Sequence, residues 1–138
     1  MQIRVKPKTY GPLRVQSDAN ASLVFETEAG NRVRAGQSPQ ADALSPSDQM
    51  LAALGNCIAI SMRMAAHQMG LELGTLDLSA IAIKATDLPS RFGRFEVVIT
   101  SSVALDIGKV DELLRRTKDL CTVSNTLGAQ VVLSLSNE

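Results

Sequence analysis

One long apolar segment, residues 50–69, constrains the fold of this chain more than any other feature. A helix-start signal comes directly before it: Ser45 can cap a helix, Pro46 suits the first helical position, and Asp48 can complete a capping box. We therefore expect a helix that runs to the end of the segment and stops at Gly70. Its apolar side chains occupy most of the helical wheel, and a helix of this kind is normally central and buried.

The rest of the chain is expected to form short strands and one further helix. Alternating apolar and polar residues predict strands at residues 2–6, 13–16, 22–28, 32–34, 76–86, 94–105 and 130–136. Asp106 is expected to cap a second helix that ends near Cys121. The apolar stripe of that helix is predicted to contain Ile107, Val110, Leu114, Thr117 and Cys121. Strands interleaved with two helices predict a single α+β domain over residues 1–138 with antiparallel sheets.

Composition argues against several classes of function. Lys and Arg total 14, Asp and Glu also total 14, and aromatic residues make up 3%, so neither a nucleic acid nor a membrane surface is an expected partner. One His and two Cys are too few for an ordinary zinc site, and no cofactor is expected. The apolar segment is interrupted by Asn56 and Arg63, which disfavours a transmembrane span. The polar N-terminal residues lack the pattern of a secretory signal, so we expect a cytoplasmic protein.

The two cysteines are the main candidates for chemistry. Cys57 lies midway along the predicted long helix and Cys121 ends the second, so the thiols can meet if the helices pack together. They are either small core hydrophobes or a redox pair, in which one thiolate attacks a peroxide and the second thiol condenses with the sulfenic acid. His67 follows Cys57 by ten residues, about 80° round the helix and roughly 15 Å along it, which disfavours a Cys–His hydrolase.

Two segments resemble motifs of the OsmC/Ohr family, the osmotically inducible and organic hydroperoxide resistance proteins. Residues 45–57, SPSDQMLAALGNC, are similar to the family helix SP-x-E-LLLAALG-x-C, and residues 121–127, CTVSNTL, are similar to its second motif, CP-x-S-x-T-L. The separation of the motifs also fits, and the similarity covers about residues 45–135. The resemblance implies antiparallel sheets, a long buried central helix and a second helix, in an intertwined homodimer with active sites at its interface.

The resemblance also implies a function. It indicates a thiol-dependent peroxidase that reduces small organic hydroperoxides in oxidative stress defence. Cys57 would attack, Cys121 would resolve, and a dithiol or lipoyl-type protein would serve as the reductant. The alternative is a non-catalytic dimer of the same fold that binds an apolar small molecule at its interface. A positive charge next to Cys57 would favour the peroxidase, because such a charge promotes formation of the thiolate.

The chain departs from the peroxidatic branch at three places. That branch has Glu directly after the helix-start Pro, whereas the nearest acid here is Asp48, expected to be either a helix cap or a catalytic acid acting across the dimer. The activating Arg of the first hairpin has no counterpart in residues 17–20, so Arg34 and Arg14 are the first candidates for that charge. The Pro after the second Cys is Thr122.

Overall fold

The computed structural model describes residues 7–137, so the strand predicted at residues 2–6 lies outside the described part. Its elements, in chain order, are β1 (Arg14–Ser17), β2 (Leu23–Glu26), β3 (Arg32–Ala35), α1 (Pro46–Gln68), β4 (Leu76–Lys84), β5 (Phe92–Ser101), α2 (Ile107–Leu120), α3 (Thr122–Thr126) and β6 (Gln130–Asn137). This order confirms the α+β class. The chain divides into two compact units, residues 1–48 and 49–138. The single domain over residues 1–138 stays a prediction.

The N-terminal unit contains an antiparallel sheet in the order β1-β2-β3. The turn before β2 is fixed by Asp18, whose Oδ1 accepts hydrogen bonds from the backbone N–H groups of Asn20 and Ser22, both at 2.9 Å. Thr27 Oγ1 accepts from the N–H of Asn31 at 3.1 Å and closes the next turn. These side-chain bonds hold the backbone in turns and end the strands, which is why β2 is shorter than the predicted residues 22–28.

Helix α1 begins and ends where the sequence predicts. Ser45 Oγ accepts from the N–H of Asp48 at 3.1 Å, and Asp48 Oδ2 accepts from the N–H of Ser45 at 3.0 Å, which is a capping box. At the other end Gly70 has φ +68° and the N–H of Leu71 donates to the carbonyl of Ala66 at 2.8 Å. A left-handed residue of this kind ends a helix, and glycine adopts that conformation without steric cost.

Burial of α1 differs from the prediction of a helix covered on nearly all sides. Leu54 and Ile58 are fully buried, but Ile60 is 63% exposed and Met64 is 51% exposed. The described chain therefore covers one face of the helix and leaves an apolar strip on the other.

Within residues 7–137, no helix is both long and apolar enough to cross a membrane.

The C-terminal unit contains a mixed sheet in the order β4-β5-β6. Strands β4 and β5 pair antiparallel as expected, but β6 runs parallel to β5, with Phe95 opposite Val131. The reason is that the two helices between these strands carry the chain back to the same end of the sheet. Phe95, Val97 and Ile99 form the buried face of β5, as predicted, and pack in one core with the buried residues of α1.

Helix α2 differs from its prediction in the stripe that it buries. Asp106 caps it as predicted, since its Oδ1 accepts from the N–H of Gly108 at 3.0 Å. The buried residues are Leu113 and Thr117, whereas Ile107 is 87% exposed. Ile107 precedes Leu113 by six residues, about 120° round the helix, so it points away from the buried line. The predicted place of Ile107 in the apolar stripe was wrong.

Candidate active site

The two cysteines come together inside the C-terminal unit. Cys57 lies in the middle of α1, and Cys121 is the single residue between α2 and α3. Both are free thiols, and their side chains form a hydrogen bond with each other. The packing of these helices thus gives the juxtaposition on which the redox interpretation depends.

The backbone around Cys121 explains its position. At this residue the chain leaves the helical conformation, with φ −82° and ψ 97°. Its N–H donates to the carbonyl of Lys118 at 3.3 Å, and its own carbonyl accepts from the N–H of Asn125 at 3.0 Å. The residue is therefore fixed by both helices. The first N–H groups of α3 have no partner within that helix, so they are available to a neighbouring acceptor.

That acceptor is the sulfur of Cys57, which is partly exposed. Desolvation raises the pKa of Cys57, but four hydrogen bonds lower it. Two come from the backbone N–H groups of Val123 and Thr122, and two from the side chains of Cys121 and Ser61. The hydrogen bonds outweigh desolvation, so the pKa of Cys57 lies below that of an ordinary cysteine. The geometry therefore favours a thiolate at this sulfur.

The environment of Cys121 has the opposite effect. Burial raises the pKa of Cys121, and the hydrogen bond to Cys57 and the charge on Cys57 raise it further. Hydrogen bonds from the hydroxyl and the N–H of Ser124 lower it, but not enough to compensate. Cys121 is also fully buried. Of the two thiols, Cys57 is therefore the one that ionises at the lower pH.

The other predicted site residues lie in the N-terminal unit. The carboxylate of Asp48 serves as the helix cap described above. Arg34 Nη1 lies 2.6 Å from Asp42 Oδ2, in an ion pair whose two side chains are each 66% exposed. Arg14 lies on the exposed strand β1. The catalytic role of Asp48 and the activating role of either arginine stay predictions.

Sequence reasoning missed three residues whose hydrogen bonds lower the pKa of Cys57: Ser61, Thr122 and Val123. Ser61 carries a signal that could have revealed it, since it follows Cys57 by four residues and so lies on the same helix face. The two N–H groups carry no such signal. They belong to the start of α3, and although the sequence predicts the end of the second helix near Cys121, it does not predict a further helix directly after it.

A cavity of about 730 Å³ lies in the same unit, beside the turn between β4 and β5. Its apolar lining includes Met50, Phe92, Phe95 and Leu127. The rings of Phe92 and Phe95 meet edge to face, with centroids 5.7 Å apart. The cavity is large enough for a small apolar molecule.

Comparisons with known proteins agree with this architecture. The profile of the OsmC-like protein family matches residues 39–136. No curated protein matches the chain significantly. An OsmC-like protein from Mycoplasma pneumoniae has a similar fold, with a TM-score of 0.83 at 13% identity over 96% of this chain and 99% of that one. An organic hydroperoxide resistance protein from Elizabethkingia anophelis gives 0.81 at 14% identity, over 97% and 100%. OhrB of Bacillus subtilis, another organic hydroperoxide resistance protein, gives 0.69 at 13% identity, over 94% and 98%. Because the family profile covers more than half of the sequence, the chain belongs to the OsmC-like family.

Proposed function

We propose that the protein is a thiol-dependent peroxidase that reduces small organic hydroperoxides. The observation that carries this proposal is the contact between two thiols whose pKa values are shifted in opposite directions, lowered at Cys57 and raised at Cys121. A peroxide is attacked by a thiolate, and a neighbouring thiol is needed to trap the product. Membership of the OsmC-like family supports the proposal, and so do the names of two relatives of the same fold, which are organic hydroperoxide resistance proteins.

In the first step the Cys57 thiolate attacks the terminal oxygen of the hydroperoxide. The oxygen–oxygen bond breaks, and the alkoxide leaves and takes up a proton to become an alcohol. The sulfur of Cys57 is oxidised to a sulfenic acid. In the second step the sulfur of Cys121 attacks the sulfur of Cys57, a disulfide forms, and the hydroxyl leaves with the Cys121 proton as water. A dithiol or lipoyl-type reductant then exchanges with this disulfide and leaves oxidised, which restores both thiols.

We further propose that the protein works as a homodimer. The outer face of α1 exposes Ile60 and Met64, and these side chains belong to the helix that carries the attacking thiol. Water contact with such a strip is unfavourable, and a second copy of the chain is the proposed cover.

The experiment is hydroperoxide consumption by the reduced protein with a dithiol present. The intact chain should turn over tert-butyl hydroperoxide repeatedly, and Cys57→Ser should abolish turnover. In a parallel assay without the dithiol, Cys121→Ser should consume one equivalent and stop at the sulfenic or a more oxidised state, since no resolving thiol remains. Thus one variant is silent and the other gives a single burst. Equal, slow consumption by both variants and the intact chain would rule out the thiol mechanism.

A second candidate is a non-catalytic dimer that binds an apolar small molecule. The observation that favours it is the cavity beside Phe92 and Phe95. Under this alternative hydroperoxide leaves both thiols intact, and a fluorescent apolar probe binds equally to the intact chain and to Cys57→Ser. Turnover that depends on Cys57 would exclude it.

A further inference from the structure

We propose that the cavity beside the β4–β5 turn binds a small molecule with an apolar body and one carboxylate, and that the carboxylate pairs with the ammonium group of Lys84. The cavity measures about 730 Å³ and lies within the C-terminal unit. The inference does not depend on the peroxidase reaction. Met50, the α1 residue of the lining, precedes Cys57 by seven residues, which is roughly 10 Å along the helix.

A bulge in β5 builds the aromatic wall of the cavity. In the register of the two strands Ile83 lies opposite Arg94 and Lys84 lies opposite Phe92, so one residue of β5 between these partners is extra. The extra residue turns Phe92 to the face of the sheet that carries Phe95, where the two rings meet edge to face. These rings give the apolar body of a ligand a surface on which to pack.

Lys84 lies on the core side of its strand. It follows Ala80 and Ala82 at alternate positions of β4, and both of those side chains pack against the core. An apolar residue is expected at such a position, but the chain places an exposed ammonium group at the edge of an apolar cavity. Among the described residues, no acidic side chain pairs with Lys84.

The second cation of the lining, Arg91, is held by the turn itself. Its Nη1 lies 3.0 Å from Asp87 Oδ1 and donates to the carbonyl of Pro89 at 2.9 Å. The charge of Arg91 is therefore already countered, whereas that of Lys84 is not. One uncompensated positive charge matches a carboxylate, while a phosphate monoester would bring nearly two negative charges.

The uncharged polar side chains of the lining also fit an anion. The Oε1 of Gln130 accepts from Arg94 Nη1 at 3.2 Å, which leaves the amide N–H groups of Gln130 for another acceptor. The hydroxyl of Ser90 supplies a further donor. In the described part of the chain no acidic residue lines the cavity. A few polar groups at an apolar cavity are typical of a small-molecule site, and here they can all donate.

The test is calorimetric titration of the full chain with 4-phenylbutyrate, the alcohol of the same carbon skeleton and the corresponding amine. The carboxylate should bind about fivefold more tightly than the alcohol, which is the upper end for an ion pair open to solvent. The amine should bind more weakly than the alcohol, because its charge repels Lys84. Equal affinities of the three ligands, or no binding of the carboxylate, would overturn the inference.

Substitutions of Lys84 test its role directly. Lys84→Met should lower the affinity for 4-phenylbutyrate to that for the alcohol, and Lys84→Arg, which keeps the charge, should retain most of it. Lys109→Met is the matched control, since Lys109 is an exposed lysine of α2 outside the cavity lining. An unchanged affinity in Lys84→Met, or the same loss in Lys109→Met, would refute the assignment of Lys84.

A tryptophan reporter tests the location. The chain contains no Trp, so Phe92→Trp introduces a single indole into the wall of the cavity. Its emission should change with 4-phenylbutyrate at the midpoint that calorimetry gives. Binding heat without a change of emission would place the ligand elsewhere and overturn the inference. Cys57→Ser should bind 4-phenylbutyrate as the intact chain does, so loss of the peroxidase proposal and loss of this inference are separate results.

Discussion

The side chains of Cys57 and Cys121 interact with each other, yet their surroundings shift the two pKa values in opposite directions. Hydrogen bonds lower the pKa of Cys57 against its desolvation, whereas burial and the nearby charge raise the pKa of Cys121. The thiolate fraction of any thiol rises with pH through its pKa. Oxidation of Cys57 should therefore reach its half-maximal rate at a lower pH than a free cysteine, and oxidation of Cys121 at a higher pH.

Single-cysteine variants measure this order. In Cys121→Ser only Cys57 remains, and its rate of oxidation by tert-butyl hydroperoxide should level off below the pH expected for a free thiol, about 8.5. In Cys57→Ser only Cys121 remains, and burial should make it slow across the same range. Two identical profiles, both like that of a free cysteine, would contradict the assignment of attacking and resolving roles.

The hydroxyl of Ser124 is expected to affect the second step alone. Ser124 Oγ donates to the carbonyl of Cys121 at 3.3 Å, and this side chain lowers the pKa of the Cys121 thiol. Ser124→Ala should therefore raise the pKa of Cys121 further and slow disulfide formation several-fold. The first oxidation of Cys57 should keep its rate. Thr126→Val is the control. It removes a hydroxyl from the same helix, but that hydroxyl donates to the carbonyl of Thr122. Stopped-flow measurement separates the oxidation of Cys57 from the formation of the disulfide. If Ser124→Ala slowed the oxidation of Cys57, the expectation that Ser124 affects only the second step would be refuted.

The candidate site could be predicted from the sequence only in part. The two cysteines stand out because each lies in a recognisable motif at the right separation. The hydrogen-bond donors around Cys57 do not stand out in the sequence, because the N–H groups of Thr122 and Val123 become available only where the chain turns between α2 and α3. That turn is a single extended residue, Cys121, in a stretch without Gly or Pro to mark it.

At the scale of elements, the capping box gives α1 a defined start and assigns Asp48 a structural role. Ser45→Ala removes one of its two hydrogen bonds and should lower the free energy of unfolding by about 1 kcal/mol, as measured by denaturant titration. Asp48→Asn keeps an acceptor at the cap and should cost less than Asp48→Ala. If Asp48 acts only as a cap, Asp48→Asn should also retain hydroperoxide turnover. Loss of turnover with unchanged stability would instead support the catalytic role predicted for this carboxylate.

The sequence predicts the elements with clear local signals and misses those that depend on packing. The start of α1 and the stop at Gly70 follow from side-chain and backbone chemistry within a few residues. The parallel direction of β6 depends on how α2 and α3 cross the sheet, which no local pattern records. Strand β5 ends at Ser101 rather than at residue 105, because the hydroxyl of Ser101 donates to the carbonyls of Leu73 at 2.6 Å and Val103 at 2.9 Å and holds the chain in a bend.

At the scale of the whole molecule, the exposed strip on α1 leads to an expectation about assembly. The chain should sediment as a dimer at micromolar concentration, with a buried interface above about 2,000 Å², the range of obligate homodimers. Ile60→Asp should shift it to the monomer, because an interface does not tolerate an unpaired charge in its apolar centre. Ile107→Asp is the matched control, since Ile107 is 87% exposed on α2. A stable monomer of the intact chain, or equal effects of the two substitutions, would refute the expectation.

The central claim is that Cys57 and Cys121 form one redox pair, and a thiol count tests it most directly. The reduced protein is treated with one equivalent of tert-butyl hydroperoxide, its free thiols are titrated, and its peptides are mapped without reduction. We expect the loss of two thiols per chain, one equivalent of tert-butyl alcohol, and a disulfide between Cys57 and Cys121 that a dithiol reverses. If both thiols survive, and Cys57 alkylates no faster than a free thiol between about pH 6 and 9, the two residues are buried cysteines without redox function.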